Sequence, residues 1–288
     1  MEVLFLININ YQKMVTKPIN NTRSFPFFIF PLSLFKPFNL LALASLALCL
    51  SVSLYSPLSC SSSPMTDTHS LTKTHTKALN YEAHYRAKIK GLNVKGIKTV
   101  RSTGENRYRA SWKVKALWMK IDEWSEFEIT KGNEIRPIHY HYQEKGFGKK
   151  QRINLFFDWE TQQLTSEMIR SNSVEKKQFA LTEGVQDKLT YQVQMQLELI
   201  SYSLPDSLSY NVASDRGLEQ YRFTRSNEAL PKSQLNQKNN TVFSRQKKNR
   251  LVEIHFAEDI FYTPTLIRHS KNDKFNDIHL SGWQLLID

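Results

Sequence analysis

The sequence predicts a mainly β fold with one helix, a curved antiparallel sheet or half-barrel preceded by an N-terminal signal or anchor segment. Three observations predict it. From Asn80 onward, apolar residues recur at every second position, which is the pattern of strands with one buried face. Turn signals interrupt the alternation at short intervals without a helix-length insert, as in an antiparallel meander. Before residue 61 the chain instead carries an apolar stretch behind basic residues.

The strands follow in order. Tyr81, Ala83, Tyr85, Ala87 and Ile89 alternate with polar residues, and a short stretch with Leu92 and Val94 follows Gly91. Tyr108, Ala110, Trp112, Val114 and Ala116 form the cleanest alternation in the chain. Ser125, Phe127 and Ile129 lead into a Lys131-Gly132-Asn133 turn signal, then Ile138, Tyr140 and Tyr142. Ile153, Leu155 and Phe157 come after Gly146 and Gly148. Later strands are marked by Tyr210 and Val212, by Tyr221 and Phe223, by Val252, Ile254 and Phe256, and by Ile278 and Leu280. Residues 231–240 read as a polar loop, in which Asn239-Asn240-Thr241 matches a glycosylation acceptor.

One segment, residues 184–204, satisfies two periods. Leu189, Tyr191, Val193, Met195, Leu197 and Leu199 alternate as a strand would, yet Leu189, Val193, Leu197 and Ile200 share a helical face. Asp187 is placed to cap a helix start and Pro205 to follow its end. Its length exceeds that of ordinary strands, so a helix packed on the sheet is expected.

The leader combines Lys13, Lys17, Arg23 and Lys36 with a run free of charge from Lys36 to Asp67, in which residues 40–55 read LLALASLALCLSVSLY. This is the pattern of a secretory signal, although about twice the usual roughly 15–30 residues in length. The apolar run also approaches bilayer-spanning length, which leaves a retained anchor open. Basic residues on the N-terminal side place the bulk of the chain outside the cytoplasm. Pro57, three positions before Cys60, argues against lipid modification there. Residues 1–60 are thus expected to be a signal peptide or membrane anchor, 61–79 a linker, and 80–288 a single β domain.

The formal net charge of +12 belongs mostly to that domain, since only four basic residues and one acidic residue fall in 1–60. Basic clusters such as Lys149-Lys150-Arg152 sit at expected turns, where solvated or edge-protecting charge is common. No cysteine follows Cys60, which excludes a disulfide or thiolate metal site from the domain.

Several of these features, in this order, resemble a bacterial family known as domain of unknown function 3108. They are Tyr81-Glu82-Ala83-His84-Tyr85, the Gly91 to Gly96 turn, Leu117-Trp118, Glu126-Phe127, Arg136-Pro137 with Tyr140, and Phe157-Asp158-Trp159. Gln186-Asp187-Lys188-Leu189, Tyr221, and Ala257-Glu258-Asp259 with Pro264 complete the set. The resemblance implies export to a Gram-negative envelope and a curved antiparallel sheet with a helix, akin to the half-barrels of lipoprotein carriers. It implies no activity. The sequence departs from the family pattern in its long leader and in residues 231–240, where a Gly-containing turn is usual.

Candidates for chemistry are few. His139 and His141 would share a strand face, so both imidazoles could reach one metal. A third ligand is required, and His84, His255 and His269 are not placed by spacing; a solvent-facing pair opposite Ile138, Tyr140 and Tyr142 is the plainer reading. Asp158, after an apolar strand, fits a turn acceptor better than a catalytic carboxylate. Glu126 and Glu128 read as a polar strand face. No nucleophile elbow, phosphate-binding glycine loop or HExxH pair occurs. Trp112, Trp118, Trp124, Phe156 and Phe157 lie on neighbouring strands; on one concave face they would line an apolar ligand cavity, and otherwise they are core. Trp112, Trp118 and Phe156 are therefore the ligand-binding candidates, and His139 and His141 the metal candidates.

The expectation is a non-enzymatic envelope protein, periplasmic or anchored facing the periplasm. It would bind a hydrophobic ligand such as lipid, or an envelope protein, with no cofactor and no nucleic acid. A periplasmic hydrolase and a membrane-attached scaffold are the alternatives, and the sequence leaves the oligomeric state open.

Overall fold

The computed structural model describes residues 79–287, except 90, 118, 147–148, 171–172, 227–239 and 273. The leader, Cys60, nearly all of the expected linker, Trp118 and the Asn239 acceptor lie outside the described residues. Leu79, expected in the linker, is already buried in the core.

The first half of the domain is an eight-strand meander: β1 (Tyr81–Ile89), β2 (Leu92–Gly104), β3 (Arg107–Ala116), β4 (Met119–Ile129), β5 (Ile135–Gly146), β6 (Lys149–Asp158), β7 (Gln163–Arg170) and β8 (Ser173–Ala180). A two-residue strand, β9 (Val185–Gln186), then leads into helix α1 (Thr190–Ser201). The second half runs β10 (Ser207–Ser214), β11 (Gly217–Ser226), β12 (Asn240–Lys247), β13 (Arg250–Ala257), β14 (Thr263–Lys271) and β15 (Lys274–Leu285). Among the described residues these form one sheet of fifteen strands, ordered β8 to β1, then β15 down to β9. β1 pairs antiparallel with β15, which joins the two meanders, and β9 runs parallel to β10.

The alternation read from the sequence is the alternation observed. Tyr81, Ala83, Tyr85, Ala87 and Ile89 face the core, as do Tyr108, Ala110, Trp112, Val114 and Ala116. Three differences have local causes. β2 is thirteen residues long, where only a short stretch around Leu92 and Val94 is expected; Lys98 and Gly96 occupy inward positions that carry no apolar signal. β7 and β8 escape the sequence reading because Ser166 holds an inward position in β7, and because β8 is the sheet edge and is exposed along most of its length. The register of β4 and β5 shifts between Glu126 and Phe127, so Glu126 faces His139 while Phe127 faces Pro137. Ile138 is the extra residue of this bulge and is only half-buried, against expectation; Ile135 and Pro137 take the inward places.

Helix α1 resolves the segment with two periods. It is buried almost all round, including Thr190, Gln192, Gln194 and Gln196, because the sheet curls about it. Its polar residues reach both meanders. Gln192 Oε1 accepts from Lys98 Nζ of β2 at 3.3 Å, Gln194 Oε1 from the Ile135 amide of β5 at 2.8 Å, and Gln196 Oε1 from the Tyr81 hydroxyl of β1 at 3.0 Å. Gln196 Nε2 donates to the Phe261 carbonyl just ahead of β14 at 2.8 Å, and Glu198 accepts from Tyr210 of β10 at 2.8 Å. On the apolar side Tyr191 packs on Tyr210, Tyr221 and Phe223. A buried amide without partners costs a few kcal/mol, so each glutamine ties the helix to one place on the sheet. The helix starts later than expected because residues 185–186 join β10. Asp187 does take the capping role: its Oδ1 accepts from the Leu189 and Thr190 amides at 2.8 and 2.9 Å.

Candidate functional site

Two clusters contain the residue types that could act on another molecule. The first lies on the outer face of β3–β6. Strand pairing sets Arg109 opposite Glu126, Glu126 opposite His139, and His139 opposite Phe156; one row along, Ser111, Trp124, His141 and Asn154 face one another. The Trp124 indole meets His139 edge-on at 4.7 Å between centroids and stacks on His141 at 5.1 Å. His139 in turn stacks on Phe156 at 4.4 Å. The Arg109 guanidinium lies over the indole at 4.0 Å, a cation–π contact, and reaches Glu126 at 3.6 Å. His141 Nδ1 and Asn154 Oδ1 are 2.8 Å apart.

Phe156 is 39% exposed at the end of this stack. His139 is half-buried, and burial lowers its imidazole below the ordinary value, which favours the neutral ring at neutral pH. Its Nε2 is enclosed without a hydrogen-bond partner. Among the described residues no three His, Cys, Asp or Glu side chains stand close enough to hold a metal. His84 lies on β1, His255 on β13 and His269 on β14, four or more strands from β5 in the sheet order.

The aromatic candidates do not share a face. Trp112 points inward, 5.0 Å from Tyr85 and packed flat on Gly96, whereas Trp124 and Phe156 point outward. Phe157, one residue from Phe156, is inward by the same strand parity and is buried. The concave side is occupied by α1 instead.

The second cluster lies beneath that helix. Lys98, Glu123, Ser125, Tyr140 and Asp187 converge there, and none of them is more than 2% exposed. The Ser125 hydroxyl donates to Asp187 Oδ2, and the Tyr140 hydroxyl to Glu123 Oε1. Burial raises the Asp187 carboxyl to about 6 and lowers the Lys98 ammonium to about 8. Glu123 Oε2 has no partner. Acid, base and hydroxyl are all present, but Asp187 and Ser125 are spent on seating the helix. Parity also separates Glu123 from the other carboxylates of β4: Glu123 is inward, whereas Glu126 and Glu128 are outward beside Arg109 and Arg107. Asp158 accepts from the Glu160 and Thr161 amides at 3.1 and 3.0 Å, in the turn role expected of it. Sequence reasoning missed Lys98 and Asp187 as partners of this cluster, because a lysine among outward lysines carries no mark of an inward position.

Among the described residues no helix is long and apolar enough to cross a membrane. No curated protein matches the chain. Among solved structures the chain is similar to the crystal structure of a β-barrel-like protein of domain of unknown function DUF1849 from Brucella abortus. The identity is 7%, the TM-score 0.48, and the match covers 73% of this chain and 98% of that one. Residues 80–277, nearly the whole of the sheet just described, match the model of the family described as protein of unknown function (DUF3108), and the chain belongs to that family.

Proposed function

We propose that this is a non-enzymatic protein of the cell envelope whose β domain binds another envelope protein through the outer face of β3–β6. The observation that carries the reading is the stack of Arg109, Trp124, His139 and Phe156, with Phe156 39% exposed at its end. Tryptophan and arginine are the side chains that dominate protein interfaces. The leader supports the compartment. The alternative of a hydrophobic ligand on the concave face must contend with α1, which fills that face. A hydrolase would have to draw on Glu123 and Asp187, both fully buried. A scaffold attached by its leader would need no such stack.

The test is site-specific crosslinking in the native envelope. A photoreactive benzoylphenylalanine at Phe156 is expected to give one discrete protein adduct that Trp124→Ala abolishes. The same probe at Leu218, an exposed position of β11, is expected to give none. An adduct indifferent to Trp124→Ala, or equal labelling from Leu218, removes the patch from consideration. A lipid retained in native mass spectrometry of protein purified from its envelope would favour the ligand reading instead.

A further inference from the structure

The sheet register lines up cations that are scattered in the sequence. Arg86 faces Lys95, Lys95 faces Lys115, Lys115 faces Lys120, Lys120 faces Lys145, and Lys145 faces Lys150. The result is one unbroken row of six positive side chains, one from each of β1–β6, all exposed and all on the outer face. At about 4.8 Å per strand the row is roughly 24 Å long.

Two ordinary explanations fail. Charge that guards a sheet edge belongs on an edge strand, but each of β1–β6 is paired on both sides. A solvated strand face mixes signs, as the rest of this face does: Arg107 pairs with Glu128, Arg109 with Glu126, and Lys113 stands opposite Asp122. None of the six has an ion-pair partner among the described residues. Like charges directly opposite one another destabilise a sheet, so the row is not there for stability.

We propose that this end of the outer face docks on an anionic lipid bilayer, a reading that does not depend on the partner-binding stack. The row lies within one to three residues of the strand ends at the β1–β2, β3–β4 and β5–β6 turns. The strand ends that flank these turns lie side by side at one end of the meander, so the six cations share one end of the outer face. Leu117, in the β3–β4 turn between Lys115 and Lys120 in the chain, is 65% exposed with φ of 45°, an apolar side chain left in solvent near two of the cations. An exposed apolar side chain flanked by cations suits the boundary between headgroups and acyl chains, whereas a soluble polyanion has no use for it. An open cleft of about 450 Å³ lies at the β6 end of the row, lined by Lys145, Lys150 and Arg152 together with Gln143, Gln151 and Ile169.

The experiment is co-sedimentation of the full chain with vesicles of phosphatidylcholine alone and of an equal mixture with phosphatidylglycerol. The neutral vesicles report binding by the leader. Each cation lost near an acidic surface lowers binding roughly fivefold. Lys115→Gln, Lys120→Gln and Lys145→Gln together are therefore expected to weaken binding to the acidic vesicles about a hundredfold, with no change on the neutral ones. Leu117→Ser weakens acidic binding while leaving its salt dependence intact. Because all four positions are exposed, circular dichroism should show an unchanged fold. Acidic binding equal in the triple variant and wild type overturns the proposal. So does heparin binding that is lost in the triple variant, untouched by Leu117→Ser, and strong enough to displace the vesicles; that result assigns the row to a linear polyanion.

Discussion

Ser125, in the middle of β4, donates its hydroxyl hydrogen to the carboxylate of Asp187, the residue whose other oxygen caps the start of α1. One buried side chain thus fixes both the entry of the helix and its height above the first meander. Burial raises the Asp187 carboxyl from 3.8 to about 6, with the hydrogen bonds from Ser125 and the Thr190 and Leu189 amides opposing.

The sign of the pH effect follows. Between pH 3.8 and about 6 the folded chain holds a proton on Asp187 that the unfolded chain has released, so stability falls as pH rises through that window. Asp187→Asn keeps the oxygen that accepts from the two amides, presents an N–H to the Ser125 oxygen in place of the second acceptor, and does not titrate. Wild type is expected to lose about 2 kcal/mol relative to this variant between pH 4 and pH 7, measured by denaturant unfolding at each pH. Parallel curves for the two proteins would show that Asp187 titrates normally.

Lys98 gives the opposite slope. Burial lowers its ammonium from 10.5 to about 8, with Glu123 opposing. From pH 8 to pH 10.5 the unfolded chain holds the proton and the folded one does not, so stability rises with pH. Relative to Lys98→Met, wild type is expected to gain about 3 kcal/mol across that range, read from the same unfolding titration.

Gln196 is expected to be costly to remove alone and cheap to remove with its partner. Gln196→Leu leaves the Tyr81 hydroxyl and the Phe261 carbonyl unpaired, at a cost of about 2–4 kcal/mol. Adding Tyr81→Phe removes one of those orphans and should recover about 1 kcal/mol. The double-mutant cycle measures the coupling between helix and first strand, and strict additivity would mean that the contact carries no energy.

Gly96 is needed for closeness, not for backbone freedom. A Cβ there would lie 3.0 Å from Trp112 Cζ2. Gly96→Ala is expected to destabilise by about 1–3 kcal/mol, and a smaller ring in Gly96→Ala/Trp112→Phe to restore part of it, both seen in the denaturant midpoint.

Much of the sheet was legible because strand parity is local. The alternation in β1 and β3 appears unaltered in the fold, and parity alone separates Phe156 from Phe157 and Glu123 from Glu126. Legibility failed where an inward place holds a polar residue, as at Lys98 and Ser166, and at the bulge that turns Ile138 aside. The segment around α1 was ambiguous for a physical reason: glutamines at every second position fit a strand with one wet face as well as a helix.

By itself, then, the sequence determined the class of the fold, the faces of most strands, and the capping residue of one helix. These follow from side-chain period and turn chemistry within a few residues. Only the tertiary structure decided that the helix is enclosed, because Gln192, Gln194 and Gln196 find their partners on strands tens of residues away. It also decided that Arg86, Lys95, Lys115, Lys120, Lys145 and Lys150 form a row. Their spacing along the chain is irregular, and hydrogen-bond register across six strands is what sets them side by side.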